Sequence, residues 1–496
     1  MTSDPAGKFT VSLFYLPDTL FVSHVGYQSK FIVIKESITH LTVLLDLSAA
    51  NLDSVLVINT GYQTVSSNEI NGSVVIIDNK TLNRQAGTSV LNRLQNVTSG
   101  LSFNPGYGNG NPKNKTNISI RGLSTINGPL DPLIVVDNFI YEGNLSNINP
   151  NDVESITVLK DAAASSIWGS RAGNGVIVIT TKKGSFNQKT KIQLSSGEII
   201  TGKPDLFEMQ DISVSDEIGM EQFLFNQGYF NAIIKRKYQA LPPAVEVFLK
   251  KRNGTISSAD SASMINTLEG IDSKRQYMNY FFQNAVIQQH AINLSGGTNN
   301  LAWLASGAFD KTVDNLGATY QKLNIRFNNT FRLNKSIQFE WGVYYTNSKA
   351  VSGKYDYNSA INTNGRHVVY TNLVNPDGSA AAVAAQYRSI YTDTAGGGKL
   401  LDWNYYPLTD NQHNTTTNRL EEIVANLGVD IRIINSLKLN VKYQYNTQRS
   451  GTEYLSDIQS YDARNSINLF SELDRSTGII NYVVPFGGIL RSGILS

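Results

Sequence analysis

The sequence contains no cysteine. That absence excludes a disulfide framework, a thiolate metal site and a cysteine nucleophile. Histidine is scarce, five in 496 residues, and no His-x-x-x-His pair or Gly-x-Ser-x-Gly elbow occurs. Nothing in these residue types argues for an enzyme, and no cofactor is expected. Charged residues make up only 17% and balance to +2, so there is no electrostatic case for nucleic acid. No apolar run is long enough for a transmembrane helix. Residues 1–20 show no basic n-region followed by an apolar h-region and a small-residue cleavage site, so the chain as written is expected to lack an export signal. Tyrosine, by contrast, is abundant, with 24 copies. At ~150 residues per domain, the length suggests about three domains.

The first fifty residues read as strands. Phe9–Leu13, Leu20–Ile34 and Thr39–Leu47 mix β-branched and aromatic residues with polar ones, with a turn or bulge at Gly26-Tyr27-Gln28. Three strands make only part of a β-sandwich, which predicts a truncated module with unpaired edges. Asp53, Ser54, Val55, Leu56, Val57 and Ile58 follow, ending in a short, strongly β-prone run. Two readings stay open for it: one more edge strand, or a segment kept free to add as a strand to a partner's sheet.

Between residues 70 and 184 strands mix with short helices. Ser89–Gly100 has apolar residues at helical spacing and a glycine stop. Phe103–Lys115 is a loop rich in Gly, Asn and Pro. Ile118–Arg121, Leu133–Val136 and Val153–Leu159 read as strands, with Asp137-Asn138 as a turn. Asp161 is placed to cap a short helix running to Trp168, with Gly169 as its stop. Val176–Thr181 reads as a strand buried on both faces. The glycine clusters at 106–110 and 169–175 lack the strand-before, helix-after order of a dinucleotide loop. Asp131, Asp137, Asp152 and Asp161 match no calcium-loop spacing, and turn and cap duties explain them better.

The second half alternates. Leu437–Asn446 places Leu437, Leu439, Val441, Tyr443 and Tyr445 opposite Lys438, Asn440, Lys442, Gln444 and Asn446. Leu323–Leu333, Ile337–Tyr345 and Val424–Ile433 do the same, with weaker copies at Lys191–Ile200, Gln288–Gly296, Ala302–Phe309 and Gly478–Phe486. Each is close to the ~9–11 residues that cross a membrane as a tilted strand. A soluble antiparallel sheet also alternates. The connections favour a barrel: tight turns at 297–300, 334–336 and 435–436 alternate with long links at 201–287, 310–322, 346–420 and 447–477. Tyr344, Tyr345, Tyr443 and Tyr445 are then expected in an aromatic girdle at the long-loop ends. About eight strands cannot enclose a module, whereas plugged barrels need about 22. The barrel is therefore expected to be incomplete.

Leu133–Asp137 and Leu145–Gly184 together resemble the plug signature of SusC/RagA-type TonB-linked outer-membrane proteins, and Ile118–Gly122 is similar to that family's earlier plug strand. On this resemblance the signature residues are Arg121, Gly122, Asp137, Asn149, Pro150, Asp152, Glu154, Lys160, Asp161, Gly169, Arg171, Asn174 and Gly175. Residues 53–58 resemble the TonB-box region, which favours the strand-donating reading. Asn138 stands where many members have Gly, and Ser54 where Glu is frequent. The resemblance implies a mainly β chain. Residues 1–50 are a truncated carboxypeptidase-regulatory-like β-sandwich, 51–69 the TonB-box region and linker, 70–184 an α/β plug domain, and 185–496 the first part of a large transmembrane antiparallel β-barrel. It implies TonB-dependent import of a glycan or peptide across the outer membrane of a Gram-negative, Bacteroidota-type cell. The implied partners are TonB with its inner-membrane energising complex, a SusD-like surface lipoprotein, and outer-membrane lipid. The alternatives are an outer-membrane binding or adhesion protein without transport, and a non-functional remnant.

Overall fold

The structure, a computed structural model, describes residues 7–484 apart from 13–14, 25–26, 28, 47–56, 62–63, 67–72, 86, 96, 99, 104–117, 121–130, 161–165 and 475. Near the N-terminus β1 (Asp18–Val22) pairs antiparallel with β2 (Lys30–Ile34), and Phe21 stacks across the pair on Phe31 at 4.8 Å. The strands expected at 9–13 and 39–47 are absent from the described residues there. Those stretches find no neighbour to pair with, and β propensity without a ladder does not make a strand. Instead Lys30 holds the second stretch, bonding the Leu44 carbonyl at 2.6 Å and pairing with Asp46 at 3.0 Å.

A second hairpin joins β3 (Val57–Asn59) to β4 (Thr64–Ser66). The inner module then forms around β5 (Val74–Asp78), β8 (Leu133–Val136), β9 (Phe139–Ile140), β10 (Val153–Leu159) and β11 (Val176–Thr181), in sheet order β5-β10-β11-β8-β9. Two short strands, β6 (Leu101–Phe103) and β7 (Ile118–Ile120), pair beside it. β11 runs parallel to β8 and antiparallel to β10. It is a central strand, and Val176, Ile177, Val178 and Ile179 are all fully buried, as its unbroken apolar run predicts. One face packs Ile156, Val158, Ile177 and Ile179 with Leu82, Val90 and Leu94 of two short helices. The other packs Val135, Val176 and Val178 with Leu159 and Trp168.

Three local expectations change. The helix after Ser89 runs only from Val90 to Leu94, because the Gln95 backbone turns extended and ends it. Ser166–Ala172 is a 3-10 segment kinked at Gly169, whose φ of 61° breaks the turn without stopping the chain there. The Phe103–Lys115 loop and Asp161 lie almost wholly or wholly outside the described residues.

Beyond residue 184 seven strands form one antiparallel sheet: β12 (Lys191–Thr201), β13 (Ala285–Gly297), β14 (Leu301–Val313), β15 (Thr319–Arg332), β16 (Ile337–Val351), then, after a small hairpin of β17 (Asn362–Thr363) and β18 (Arg366–His367), β19 (Asn414–Ile434) and β20 (Leu437–Ser456). Among the described residues seven strands line up in this sheet, where about eight were expected. Within Gly478–Phe486 the described strand is only β22 (Ile480–Tyr482), which pairs in a separate hairpin with β21 (Ser471–Leu473). The link expected at 310–322 is also wrong: β14 and β15 pair through most of it, leaving a turn at 314–318 tied by the Asp314 carboxylate.

The sheet's apolar face is turned away from the inner module. Ile325, Phe327, Phe339, Trp341, Leu427 and Val441 are 37–58% exposed, while Lys322, Asn324, Arg326 and Asn328 between them are buried. Among the described residues no helix is long and apolar enough to cross a membrane. The two longest connections fold into a cap of helices, chiefly Val214–Asn226, Pro243–Arg252, Ser258–Glu269 and Ser273–Tyr280. Phe225, Phe230, Val245, Phe248 and Tyr370 form its core.

Candidate functional site

The pleat of β15 sends Lys322, Asn324 and Arg326 to the face that meets the inner module. The Lys322 ammonium donates to the Thr88 and Ser146 carbonyls at 2.8 and 2.9 Å, with Asp310 of β14 at 3.2 Å. Asn324 donates to the Asn147 carbonyl at 2.8 Å. Arg326, 1% exposed, donates to the Lys182 carbonyl at 2.8 Å and to the Thr181 hydroxyl, and its guanidinium lies 4.7 Å from the Tyr344 ring centre. Its distance to Asp137 is 4.0 Å, the outer limit of an ion pair. The Tyr344 hydroxyl closes that gap by donating to Asp137 at 2.8 Å. Glu422 of β19 accepts from the Tyr141 hydroxyl at 3.0 Å and from the Asn147 amide at 2.9 Å.

This seat is polar and buried. Burial works against the charge on Asp137, yet Arg326, Lys183 and two bonds from Thr181 outweigh it and hold its carboxyl below the usual range. Asp152 goes the other way: burial raises it, with Arg326 only partly offsetting the cost, and its Oδ1 has no partner among the described residues. The two carboxyls therefore lie on opposite sides of their ordinary range around one guanidinium.

The signature residues divide by place. The Asp137 carboxylate and the Asp152 backbone carbonyl both lie at Arg326, at 4.0 and 3.4 Å. Asn149 caps the turn at Pro150 by accepting from the Asn151 N–H at 3.0 Å, and all three of these residues are buried. Gly175 has φ 87°, and a Cβ there would sit 2.8 Å from Ile120. Asn174 bonds the Asp131 carbonyl at 3.4 Å. Arg171 pairs with Glu142 at the surface, Glu154 is exposed on β10, and the Lys160 N–H bonds Ser73 at 3.0 Å. Gly169 is exposed. Arg121, Gly122 and Asp161 lie outside the described residues.

Of the TonB-box-like residues, Asp53, Ser54, Val55 and Leu56 also lie outside the described residues, while Val57 and Ile58 pair with β4. The next three residues dock on the module. Asn59 bonds Thr180 at 3.1 Å, the Thr60 carbonyl accepts from Trp168 at 3.2 Å, and the Gly61 carbonyl accepts from Asn138 at 2.9 Å. Asn138 has φ 76°, so it holds the left-handed turn expected of it, and its Oδ1 also accepts from Lys442 of β20 at 3.0 Å.

Residues 66–176 match the TonB-dependent Receptor Plug Domain family model. The TonB-dependent receptor SusC of Bacteroides thetaiotaomicron is 25% identical over 510 residues, covering 95% of this chain and 45% of SusC. The chain is thus similar to the SusC/RagA-type TonB-dependent receptors and carries their plug domain. A second relative, TonB-dependent receptor P39 of Formosa agariphila, is 28% identical over 73% of the chain and 30% of its own length. In fold, the chain is similar to the RagAB peptide importer in its open-open state, with a TM-score of 0.57 and 20% identity over 81% of this chain and 43% of that one. The chain thus spans under half the length of the relatives it matches.

The wall side of the plug seat was missed in the sequence as a site. Asn324 and Arg326 were legible only as part of a polar strand face, and Lys322 fell in the link expected at 310–322; a pair of cations two turns of the pleat apart is the signal available once β15 is extended back to Thr319. Tyr344 was misplaced. It shares the inward parity of Gly342 and Thr346 and binds the plug, so it is not part of an outer girdle. Tyr345, Tyr443 and Tyr445 do point outward but sit in mid-strand, because β16 and β20 continue to Val351 and Ser456.

Proposed function

We propose that this receptor works as a TonB-dependent importer in an outer membrane, taking up a glycan or peptide with a SusD-like lipoprotein over its loops. The polar seat of the plug is the observation that supports this reading. A plug held by apolar packing would resist displacement in proportion to buried area. One held by hydrogen bonds exchanges them for water at a net cost of about 1 kcal/mol each. Such a plug can stay closed at rest and still move under load. The outward row of Phe327, Phe339, Trp341 and Leu427 suits a lipid-facing wall. Asn59–Gly61 lie between the TonB-box-like strand and the plug sheet, where a pull on the chain is delivered first.

A cell whose growth on a single nutrient depends on this receptor tests the reading. Deleting Val55–Ile58 is expected to abolish growth while leaving surface binding of that nutrient intact. Growth that survives the deletion removes the import reading and leaves a binding or adhesion role.

A further inference from the structure

Three residues that run on from the TonB-box-like stretch lie in a groove of the plug that admits nothing bulkier. Gly61 has φ 83°, and a Cβ there would meet the Trp168 ring at 2.9 Å, Val135 at 3.0 Å and Val178 at 3.1 Å. Thr60 beside it is 5% exposed. Each residue of Asn59-Thr60-Gly61 bonds a different part of the module: Thr180 of β11, the Trp168 indole and the Asn138 amide. The Asn59 side chain also accepts from the Gly61 N–H at 2.8 Å, which folds the tripeptide onto itself.

Asn138 does more than hold this linker. Its left-handed backbone turns β8 into β9 and leaves one amide facing two partners. Nδ2 donates to the Gly61 carbonyl at 2.9 Å, and Oδ1 accepts from the Lys442 ammonium at 3.0 Å. The first partner belongs to the linker and the second to β20 of the wall. A cation on the amide oxygen draws electrons from the nitrogen and makes its N–H a stronger donor. The wall's hold on Asn138 therefore tightens Asn138's hold on the linker. Glycine, which many SusC/RagA-type members have here, keeps the turn but carries neither bond. Aspartate offers acceptors only, and so keeps Lys442 and loses Gly61.

We infer that Asn138 is a clamp joining linker, plug and wall. The linker stays seated while Lys442 faces the turn, and it comes loose when the plug shifts against β20. The coupling is reciprocal, so tension that unseats Gly61 also weakens the tie between plug and wall. The clamp's part in import rests on the function proposed above; its seating of the linker does not.

The chain has no cysteine, so a thiol introduced by Thr60→Cys is a unique reporter. The Thr60 bond to Trp168 is made by the backbone carbonyl and survives that change. The test follows maleimide labelling of the full chain in detergent. Asn138→Gly is expected to speed labelling about tenfold, and Lys442→Met about threefold, although its bond goes to Asn138 and not to the linker. With Asn138→Gly already present, Lys442→Met is expected to add nothing. A thiol introduced instead by Val178→Cys, at a fully buried position, is expected to stay unreactive in both variants, which separates unseating from unfolding. Should Asn138→Gly misfold, Lys442→Met, on the wall, keeps the test valid. Unchanged labelling in both variants, independent effects of the two, or equal exposure of position 178 would overturn the clamp. The expected labelling together with growth that survives deletion of Val55–Ile58 would overturn import alone and leave the clamp standing.

Discussion

The plug sheet and the wall sheet use similar strand-forming residues but bury them in opposite senses. In the plug, β10 and β11 are apolar on both faces, and helices and the Trp168 segment cover them. In the wall, β15 hides Lys322, Asn324 and Arg326 and exposes Ile325, Phe327 and Phe331. The plug is thus a small globular core that water alone can drive together. The wall has no such core. Its inner face is satisfied by the plug, and its outer face calls for an apolar surrounding. Polar contacts between the two sheets let one move against the other without tearing a hydrophobic core.

Four substitutions sharpen that contrast, and the largest effect is expected inside the plug. Val178→Asp puts an unpaired carboxylate into a fully buried central strand. It is expected to cost about 4 kcal/mol or more and to open the plug to protease. Leu427→Asp, on the exposed face of β19, is expected to leave plug protection unchanged in detergent. Equal loss of protection from both would dissolve the distinction between the sheets.

At the seat, Arg326→Ala removes the guanidinium nearest the buried Asp137 carboxylate. A loss of about 3–5 kcal/mol is expected, read as faster plug proteolysis at an unchanged wall signal. Lys183→Ala, which breaks a partly exposed 3.1 Å pair with Glu340, is expected to cost less than about 1 kcal/mol. A larger effect from Lys183 than from Arg326 would show that burial does not set the strength of the seat.

The loop cap carries a separate, pH-dependent effect. Glu221 is 5% exposed and bound by the Tyr370 hydroxyl, and burial pushes its carboxyl up to about 7. A carboxyl raised in the folded state stabilises below its ordinary 4.5 and loses that contribution as pH rises through about 7. The cap should therefore melt lower at pH 8 than at pH 5, by up to about 3 kcal/mol. Glu221→Gln should flatten the difference. A pH-independent melt of the unmodified cap would contradict it.

Legibility followed range. β11 was readable because four consecutive apolar residues can only be a strand covered on both faces. β15 was readable because a period of two survives any partner. Gly478–Phe486 misled for the same reason: alternation was present, but its described strand, β22, pairs with β21 and not with the wall sheet. The turn at Asp137-Asn138 was readable because Asn tolerates the left-handed backbone found there. Arg326 was not readable as part of a site, since its partners Thr181 and Lys182 lie over 140 residues earlier.

By itself the sequence determined which residues alternate, which turn and which family signature the plug carries, because local sterics and a two-residue pleat act within a few positions. Only the tertiary structure decided which face of the wall the plug occupies, that Tyr344 belongs to the plug seat, and that Asn138 reaches both the linker and the wall. Those outcomes depend on hydrogen bonds and ring contacts between residues far apart in the chain, and they exist only once the sheet has brought their strands together.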